Sequence, residues 1–124
     1  MNREIKFRAW DEKKSIIRIV KQIDLCGFVT YEDIAGEDWQ SDFILMQFTG
    51  LKDRNGEEIY EGDILQDSRD ETWKYEVKYS NTMPIFYADG LEDEVFTVKL
   101  AKNYLEIIGN IYENPELIEN NLLN

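Results

Sequence analysis

The feature that most limits the fold is a succession of short β-type segments separated by tight turns. Residues 73–79 alternate aromatic or aliphatic with charged side chains, the pattern of a strand with one buried face. Asn55-Gly56 and Asp89-Gly90 are typical turn sequences between such segments. Further strands are predicted at residues 5–10, 15–20, 27–31, 43–48, 85–87, 95–98 and 105–112. A mainly β fold follows, either a barrel or a rolled antiparallel sheet.

The connections between these segments are also predicted. The first two strands form an N-terminal hairpin around the polar turn at residues 11–14, and residues 66–72 form a polar connection. Asn55-Gly56 suits a type I′ turn, which needs positive φ at both residues. Gly109 interrupts its strand and indicates a bulge or a close approach of another part of the chain.

The end of the chain changes character. Asn114, Pro115 and Glu116 supply a helix N-cap, a first-turn proline and a first-turn acid. They predict a short helix over residues 115–122. The length of 124 residues suits one domain, so residues 1–124 are expected to form a single domain.

Several kinds of catalytic site are excluded by composition. The chain has no histidine and one cysteine, Cys26, so Ser-His and Cys-His catalysis, histidine-bound metals, an internal disulfide and a thiolate zinc site are all ruled out. The sequence has no glycine-rich phosphate loop and no dinucleotide motif. We therefore predict a protein that is not an enzyme and needs no cofactor.

The cellular location is predicted from the absence of targeting signals. The first residues carry no apolar stretch typical of a signal peptide, and no segment approaches the ~18 apolar residues of a membrane-spanning helix. A cytoplasmic protein with a reduced thiol and no membrane contact is expected.

Charge is distributed unevenly along the chain. Fourteen Lys and Arg against 26 Asp and Glu give a net charge of −12, yet residues 1–23 hold seven basic and three acidic side chains. A net negative charge disfavours nucleic acid, because phosphate contacts supply most of its affinity. The basic segment could contact a phosphate locally or pair with the acidic remainder of the chain, within or between subunits, and pairing is favoured.

Clustered carboxylates are the conspicuous candidates for metal chemistry. They lie in two loops: Asp67, Asp70 and Glu71, then Asp89, Glu92, Asp93 and Glu94. Carboxylate oxygens bind Mg²⁺ or Ca²⁺, but the spacing of the second cluster does not match a calcium loop, and Asp53-Arg54-Asn55-Gly56 places its glycine too early for one. Solvated acidic loops are the favoured interpretation, and a metal-dependent hydrolase is a weak alternative.

Three stretches together resemble the YopX family, small proteins encoded by phages and prophages, mainly of Gram-positive bacteria. They read REIKFRAWD at 3–11, MQFTGLKDRNGEEIYEGDI at 46–64 and IIGNIYENPEL at 107–117. The resemblance implies a mostly β fold with an SH3-like barrel. It also implies no established activity and no catalytic residue.

A partner surface is predicted at motif and aromatic residues that turns alone do not explain. These are Arg8, Trp10, Gln47, Thr49, Lys52, Tyr60 and Glu61. The favoured function is a non-catalytic protein-interaction module that binds a host or phage protein, with homo-oligomerisation as a further form. The alternative is a nucleic-acid-binding barrel that uses the basic N-terminal segment and Trp10, because exposed aromatics can stack on bases. For the aromatic face of residues 73–79, core packing is favoured over base stacking.

Overall fold

A computed structural model describes residues 4–23, 29–31, 43–91 and 94–118, which contain nine strands, an α-helix of seven residues and a helical segment at 116–118. The chain divides into two compact units, residues 1–47 and 48–124. The prediction of a mainly β fold is confirmed. Cys26 and the start of the strand predicted at 27–31 lie outside the described residues. The single-domain prediction stays a prediction.

The first unit is built on the N-terminal hairpin, which is confirmed. Its strands are β1 (Phe7–Asp11), β2 (Ile16–Ile23), β3 (Val29–Tyr31) and the first part of β4 (Phe43–Lys52). They pair antiparallel in the order β3-β2-β1-β4. Ala9 is fully buried in the small core of this unit, with Val20 and Phe43 packed against it.

A buried ion pair closes the turn of this hairpin. Asp11 Oδ1 accepts hydrogen bonds from the backbone N–H groups of Lys13 (3.0 Å) and Lys14 (3.1 Å). The other oxygen, Oδ2, accepts from Arg18 Nε at 2.9 Å, and both side chains are only 2% exposed. Burial by itself would raise the pKa of Asp11, but the hydrogen bonds from Arg18 and from these amides outweigh it and hold the pKa below its usual value. Arg18 is therefore a structural residue of the hairpin.

The second unit contains a four-stranded antiparallel sheet. The elements of the second unit are β5 (Glu58–Tyr60), β6 (Asp63–Asp67), β7 (Asp70–Tyr79), β8 (Phe86–Asp89), α1 (Val98–Tyr104) and β9 (Leu105–Asn110). The sheet order is β8-β7-β6-β9, and β5 pairs with the last part of β4. The core consists of apolar side chains from these strands and from α1: Ile59, Leu65, Tyr75, Val77, Ala88, Leu100, Ala101 and Leu105.

The strand predicted at residues 95–98 is wrong, because α1 begins there. Thr97 is the N-cap: its hydroxyl accepts a hydrogen bond from the Leu100 N–H (3.2 Å), and its carbonyl accepts from the Ala101 N–H (3.0 Å). The helix buries Leu100 and Ala101 against the sheet. Capping and burial outweigh the β propensity of Val95, Phe96 and Val98.

Two predicted connections differ from the structure. The turn at residues 53–56 has positive φ at Gly56 (81°) but not at Asn55, so it is not type I′. The predicted connection at 66–72 is instead a tight hairpin, in which β6 ends at Asp67 and β7 begins at Asp70. In both turns an aspartate side chain accepts backbone N–H bonds two residues ahead, which fixes the local conformation.

Asp53 connects this turn to a distant strand. Its Oδ1 accepts from the N–H groups of Asn55 and Glu57, each at 2.9 Å. Its Oδ2 accepts from the N–H of Ile107 in β9, also at 2.9 Å. The side chain is buried, and Arg54 N–H donates to the Leu105 carbonyl nearby (2.8 Å). One carboxylate thus holds the β4–β5 connection against β9.

Gly109 lies at a bulge, one of the two alternatives that the sequence predicts, and the close approach at this position is made by a side chain. The β6–β9 register shifts between Ile64, which pairs with Gly109, and Leu65, which pairs with Ile107. A Cβ at Gly109 would overlap the side-chain amide of Asn114, whose Oδ1 accepts the Asn110 N–H at 3.2 Å. Asn114 therefore packs on β9. Residues 116–118 are helical, and the rest of the predicted 115–122 helix lies outside the described residues.

We expect Gly109→Ala to lower the free energy of unfolding by about 1–3 kcal/mol, because the new methyl group overlaps Asn114. Urea denaturation measures the loss. Removing the obstructing side chain with Asn114→Gly should make the two losses less than additive. A Gly109→Ala cost that is the same in both backgrounds would contradict this explanation.

Candidate functional site

The second unit carries a charged groove next to the β6–β7 hairpin. The groove has a volume of about 700 Å³, within the range of ligand-binding clefts. The β6–β7 hairpin and the residues that follow β8 supply its walls. The lining residues, called the groove below, are Asp67, Arg69, Asp70, Trp73, Tyr75, Gly90, Leu91 and Glu94.

Arg69 organises one side of the groove by binding two carboxylates. Its Nε and Nη2 donate to the two oxygens of Asp67 at 3.0 and 2.8 Å. Its Nη1 and Nη2 donate to the two oxygens of Glu94 at 2.9 and 2.6 Å. The guanidinium carbon lies 4.2 Å from the centre of the Tyr104 ring, a cation–π contact. Planar, doubly bidentate geometry of this kind is specific to arginine.

These contacts shift the proton affinities of the groove. Hydrogen bonding to Arg69 holds the pKa of Asp67 and of Glu94 below their usual values, and both carboxylates raise the pKa of Arg69. Burial raises the pKa of the Tyr75 hydroxyl, and the Asp67 charge adds to that rise. At neutral pH the groove is therefore lined by the carboxylates of Asp67 and Glu94, the guanidinium of Arg69 and the neutral phenol of Tyr75.

The buried part of one face of β7 ends between Tyr75 and Trp73. Tyr75 and Val77 are buried (7% and 1% exposed), whereas Trp73, on the same face of the strand, is 50% exposed. On the aromatic face predicted for residues 73–79, only Tyr75 and Val77 therefore belong to the core. A large indole beyond the edge of the core contributes little to folding but offers area for contact with a partner.

The other face of β7 carries a carboxylate that opposes folding. Glu76 pairs across the sheet with Asp89, whose carboxylate binds Lys78 at 2.8 Å. Burial raises the pKa of Glu76; the Lys78 charge partly opposes this rise and the Asp89 charge adds to it. A carboxyl group whose pKa is raised on folding destabilises the protein above that pKa, and the penalty disappears as the pH falls towards the unfolded value.

We therefore expect Glu76→Gln to stabilise the protein at pH 7, by less than about 1 kcal/mol because the site is partly hydrated. The gain should shrink as the pH falls towards the ordinary value of 4.5. Urea denaturation at several pH values measures both effects. The exposed control Glu71→Gln should show neither, and a gain independent of pH would contradict the assignment.

Among residues 4–23, 29–31, 43–91 and 94–118, no three His, Cys, Asp or Glu side chains are placed to hold a metal ion. Asp67 and Glu94, one acid from each of the two clusters of carboxylates, are joined by Arg69. Glu92 and Asp93 lie outside the described residues. No described helix has the length and apolar character needed to cross a membrane.

The predicted partner residues of the first unit occupy both faces of its sheet. Arg8 pairs with Met46, and Trp10 with Ile44, which places them on one face. Gln47 pairs with Phe7 and lies on the opposite face. Arg8, Trp10 and Gln47 are each half-buried. A single partner surface on this sheet could use Arg8 with Trp10, or Gln47, but not all three.

The predicted partner residues of the second unit differ in accessibility. Tyr60 is 7% exposed, and its ring centre lies 5.6 Å from that of Phe48. Thr49 uses its hydroxyl in the strand, donating to the Ile59 carbonyl (2.8 Å) and accepting from the Leu51 N–H (3.1 Å). Lys52 is exposed and Glu61 half-buried. The partner role of the seven residues stays a prediction, and only some of them are open to a partner.

The groove was not predicted from the sequence as a site. Its acids were recognised as clusters and Trp73 as part of an aromatic face, but Arg69 was not singled out. Arg69 is 25 residues from Glu94 in the sequence, so no local spacing relates them. The available signal was the position of this arginine inside the first acidic cluster, between Asp67 and Asp70, which require a counter-charge.

Comparison with known proteins agrees with this architecture, a small mainly β protein with antiparallel sheets. The family model described as YopX protein matches residues 6–119, so the chain belongs to the YopX family. The predicted resemblance is confirmed. No curated protein shows a significant match to this chain. Family membership by itself assigns no activity.

Two solved structures are similar to this one. The crystal structure of protein EF1440 from Enterococcus faecalis shares 31% sequence identity and covers 94% of this chain and 99% of that chain, with a TM-score of 0.75. The X-ray structure of protein yopX from Bacillus subtilis shares 23% identity over 90% of this chain and 94% of that chain, with a TM-score of 0.57. The second likeness is one of fold alone.

Proposed function

We propose that the chain is a phage- or prophage-encoded, non-catalytic protein-interaction module that acts in the cytoplasm of the bacterial host. One observation carries the proposal: Trp73 is half exposed on the wall of a groove of about 700 Å³. Exposed tryptophans are enriched among residues that dominate protein interfaces, because they bury a large area on binding. The groove is the proposed binding surface.

The composition supports the same function. The chain lacks the histidine on which many catalytic sites depend, and the carboxylates of the groove that bind Arg69 are held in their charged forms. General acid–base chemistry at neutral pH needs groups with pKa values near 7, and these carboxylates are shifted the other way. The groove is suited to holding a partner rather than to transferring protons.

The proposal is tested by affinity capture from host cells with matched variants. The wild type and Ile19→Ala, which alters an exposed apolar side chain of the first unit, should recover the same protein. Trp73→Ala should lose it, with circular dichroism showing that the fold is kept. Binding of the purified partner should weaken at least about ten-fold in Trp73→Ala. Equal recovery by all three proteins would overturn the groove as the binding surface.

The alternative function is nucleic-acid binding through the basic N-terminal segment. Its charge is less available than the sequence suggests, because Arg18 is buried on Asp11. If this alternative holds, Arg8→Ala should weaken a salt-sensitive mobility shift with DNA or RNA. Absence of any shift at low salt would dismiss it.

A further inference from the structure

We infer that the partner presents an arginine or lysine side chain to the groove. This inference rests on the proposed function and specifies the chemistry of the bound segment. The occupant is an extended segment of another protein, with its cation against the Trp73 indole and the groove carboxylates.

The first argument is the charge of the groove. Three carboxylates, those of Asp67, Asp70 and Glu94, line it against the single guanidinium of Arg69. The whole chain carries a net charge of −12, so the surrounding field has the same sign. A negative cleft concentrates positive groups, and an anionic partner would be repelled.

The second argument is the shape and composition of the groove walls. Trp73 is 50% exposed in the wall of the groove, and indole is the best side-chain acceptor of a cation–π contact. Leu91 and Tyr75 provide apolar surface for the methylene stem of a long basic side chain. Asp70 is exposed. Its Oδ1 accepts hydrogen bonds from the backbone N–H and the hydroxyl of Thr72, and its Oδ2 takes no part in these bonds.

The third argument is that the protein already uses this chemistry next to the groove. Arg69 is held by two carboxylates and an aromatic ring, those of Asp67, Glu94 and Tyr104. Because Arg69 fixes Glu94, the wall that faces a second cation is ordered before the partner arrives. Such preorganisation lowers the entropy cost of binding.

The experiment is a nuclear magnetic resonance titration with three blocked pentapeptides. They have the sequence Gly-Gly-X-Gly-Gly, where X is arginine, its neutral isostere citrulline, or glutamate. The Trp73 indole N–H and the Gly90 amide N–H report on the groove, and the Ala9 amide serves as a reference in the first unit. The arginine peptide should shift both groove signals saturably. Binding of the citrulline peptide should be at least about five-fold weaker, and the glutamate peptide should not bind.

Matched charge variants separate the groove from the general field. Asp70→Asn and Glu12→Gln each remove one negative charge, but only Asp70 lines the groove. Asp70→Asn should weaken the arginine peptide about three-fold and Glu12→Gln should leave it unchanged. Trp73→Ala should abolish the Gly90 shift, whereas Trp73→Phe should retain part of it.

The inference fails if citrulline and arginine bind equally, if no peptide shifts the groove signals, or if both charge variants weaken binding alike. A shift of the groove signals on concentrating the protein alone would assign the groove to a second copy and would also overturn the inference. In these cases, loss of partner capture by Trp73→Ala would still support the groove as the binding surface. Failure of the cation chemistry is therefore distinguishable from failure of the proposed function.

Discussion

Replacing Arg18 with methionine is expected to destabilise the first unit by about 3–5 kcal/mol, because Asp11 would then hold a buried charge with no cation beside it. The two side chains are each 2% exposed, so water cannot replace the lost partner. Hydrogen exchange at the amides of β1 and β2 measures the loss within this unit. The exposed Lys21→Met on the same strand should change stability by less than about 0.5 kcal/mol.

The double variant Asp11→Ala, Arg18→Met tests whether the two side chains stabilise the protein as a pair or independently. It removes both charges, so it should be no less stable than Arg18→Met alone, even though the Asp11 bonds to Lys13 and Lys14 are lost. Additive losses would show that the two side chains act independently. That result would contradict the ion pair as the source of the effect.

The pH dependence of this pair has a defined sign. The pKa of Asp11 is lowered on folding, so its stabilising contribution is complete above the ordinary value of 3.8 and is lost as the pH falls through the lowered value. In Arg18→Met the burial remains without the compensating cation. Protonation of Asp11 then removes the buried charge. The difference in stability between Arg18→Met and the wild type should therefore shrink as the pH falls.

Asp53→Ala is expected to cost the second unit about 3–5 kcal/mol, because three backbone N–H groups lose their acceptor at once. The Ile107 N–H, which lies in the sheet, should account for most of the loss. Urea denaturation measures the total, and hydrogen exchange at Ile107 shows the local part.

Two variants control for this prediction. Asp53→Asn keeps an oxygen for the turn but presents an amide that donates, so it should cost less than Asp53→Ala and still expose the Ile107 N–H to exchange. Asp70→Ala removes an exposed aspartate that also accepts a turn N–H, and it should cost less than about 1 kcal/mol. Equal costs for Asp53→Ala and Asp70→Ala would show that the contact with β9 contributes nothing.

Those parts of the fold that follow local rules could be predicted. The alternation at 73–79 predicts β7, and the hairpin of β1 and β2 follows from two β-type segments around a polar turn. Helix α1 was missed because Val95, Phe96 and Val98 favour a strand locally, while the burial of Leu100 and Ala101 favours a helix. The N-cap Thr97 was the signal that could have corrected this prediction.

The candidate site could be predicted less well, because it depends on contacts between distant residues. Counting charges predicts that the basic N-terminal segment pairs with acidic groups, but it does not identify Asp11 as the partner of Arg18, because that pairing depends on the register of the hairpin. The acidic loops were recognised, yet Arg69 joins them only after β6, β7 and the residues beyond β8 are assembled. Spacing along the chain carries no information about such a junction.

The bond between Asp53 and Ile107 has a consequence for how the chain is made. Its two ends are 54 residues apart, and among the described strands β9 is the last to be synthesised. The hairpin of β1 and β2 needs only residues that are close in sequence, so it can form early in synthesis. The edge of β6 that pairs with β9 stays unpaired until β9 has been synthesised. We expect nascent chains that stop before residue 105 to be sensitive to proteases within residues 48–104.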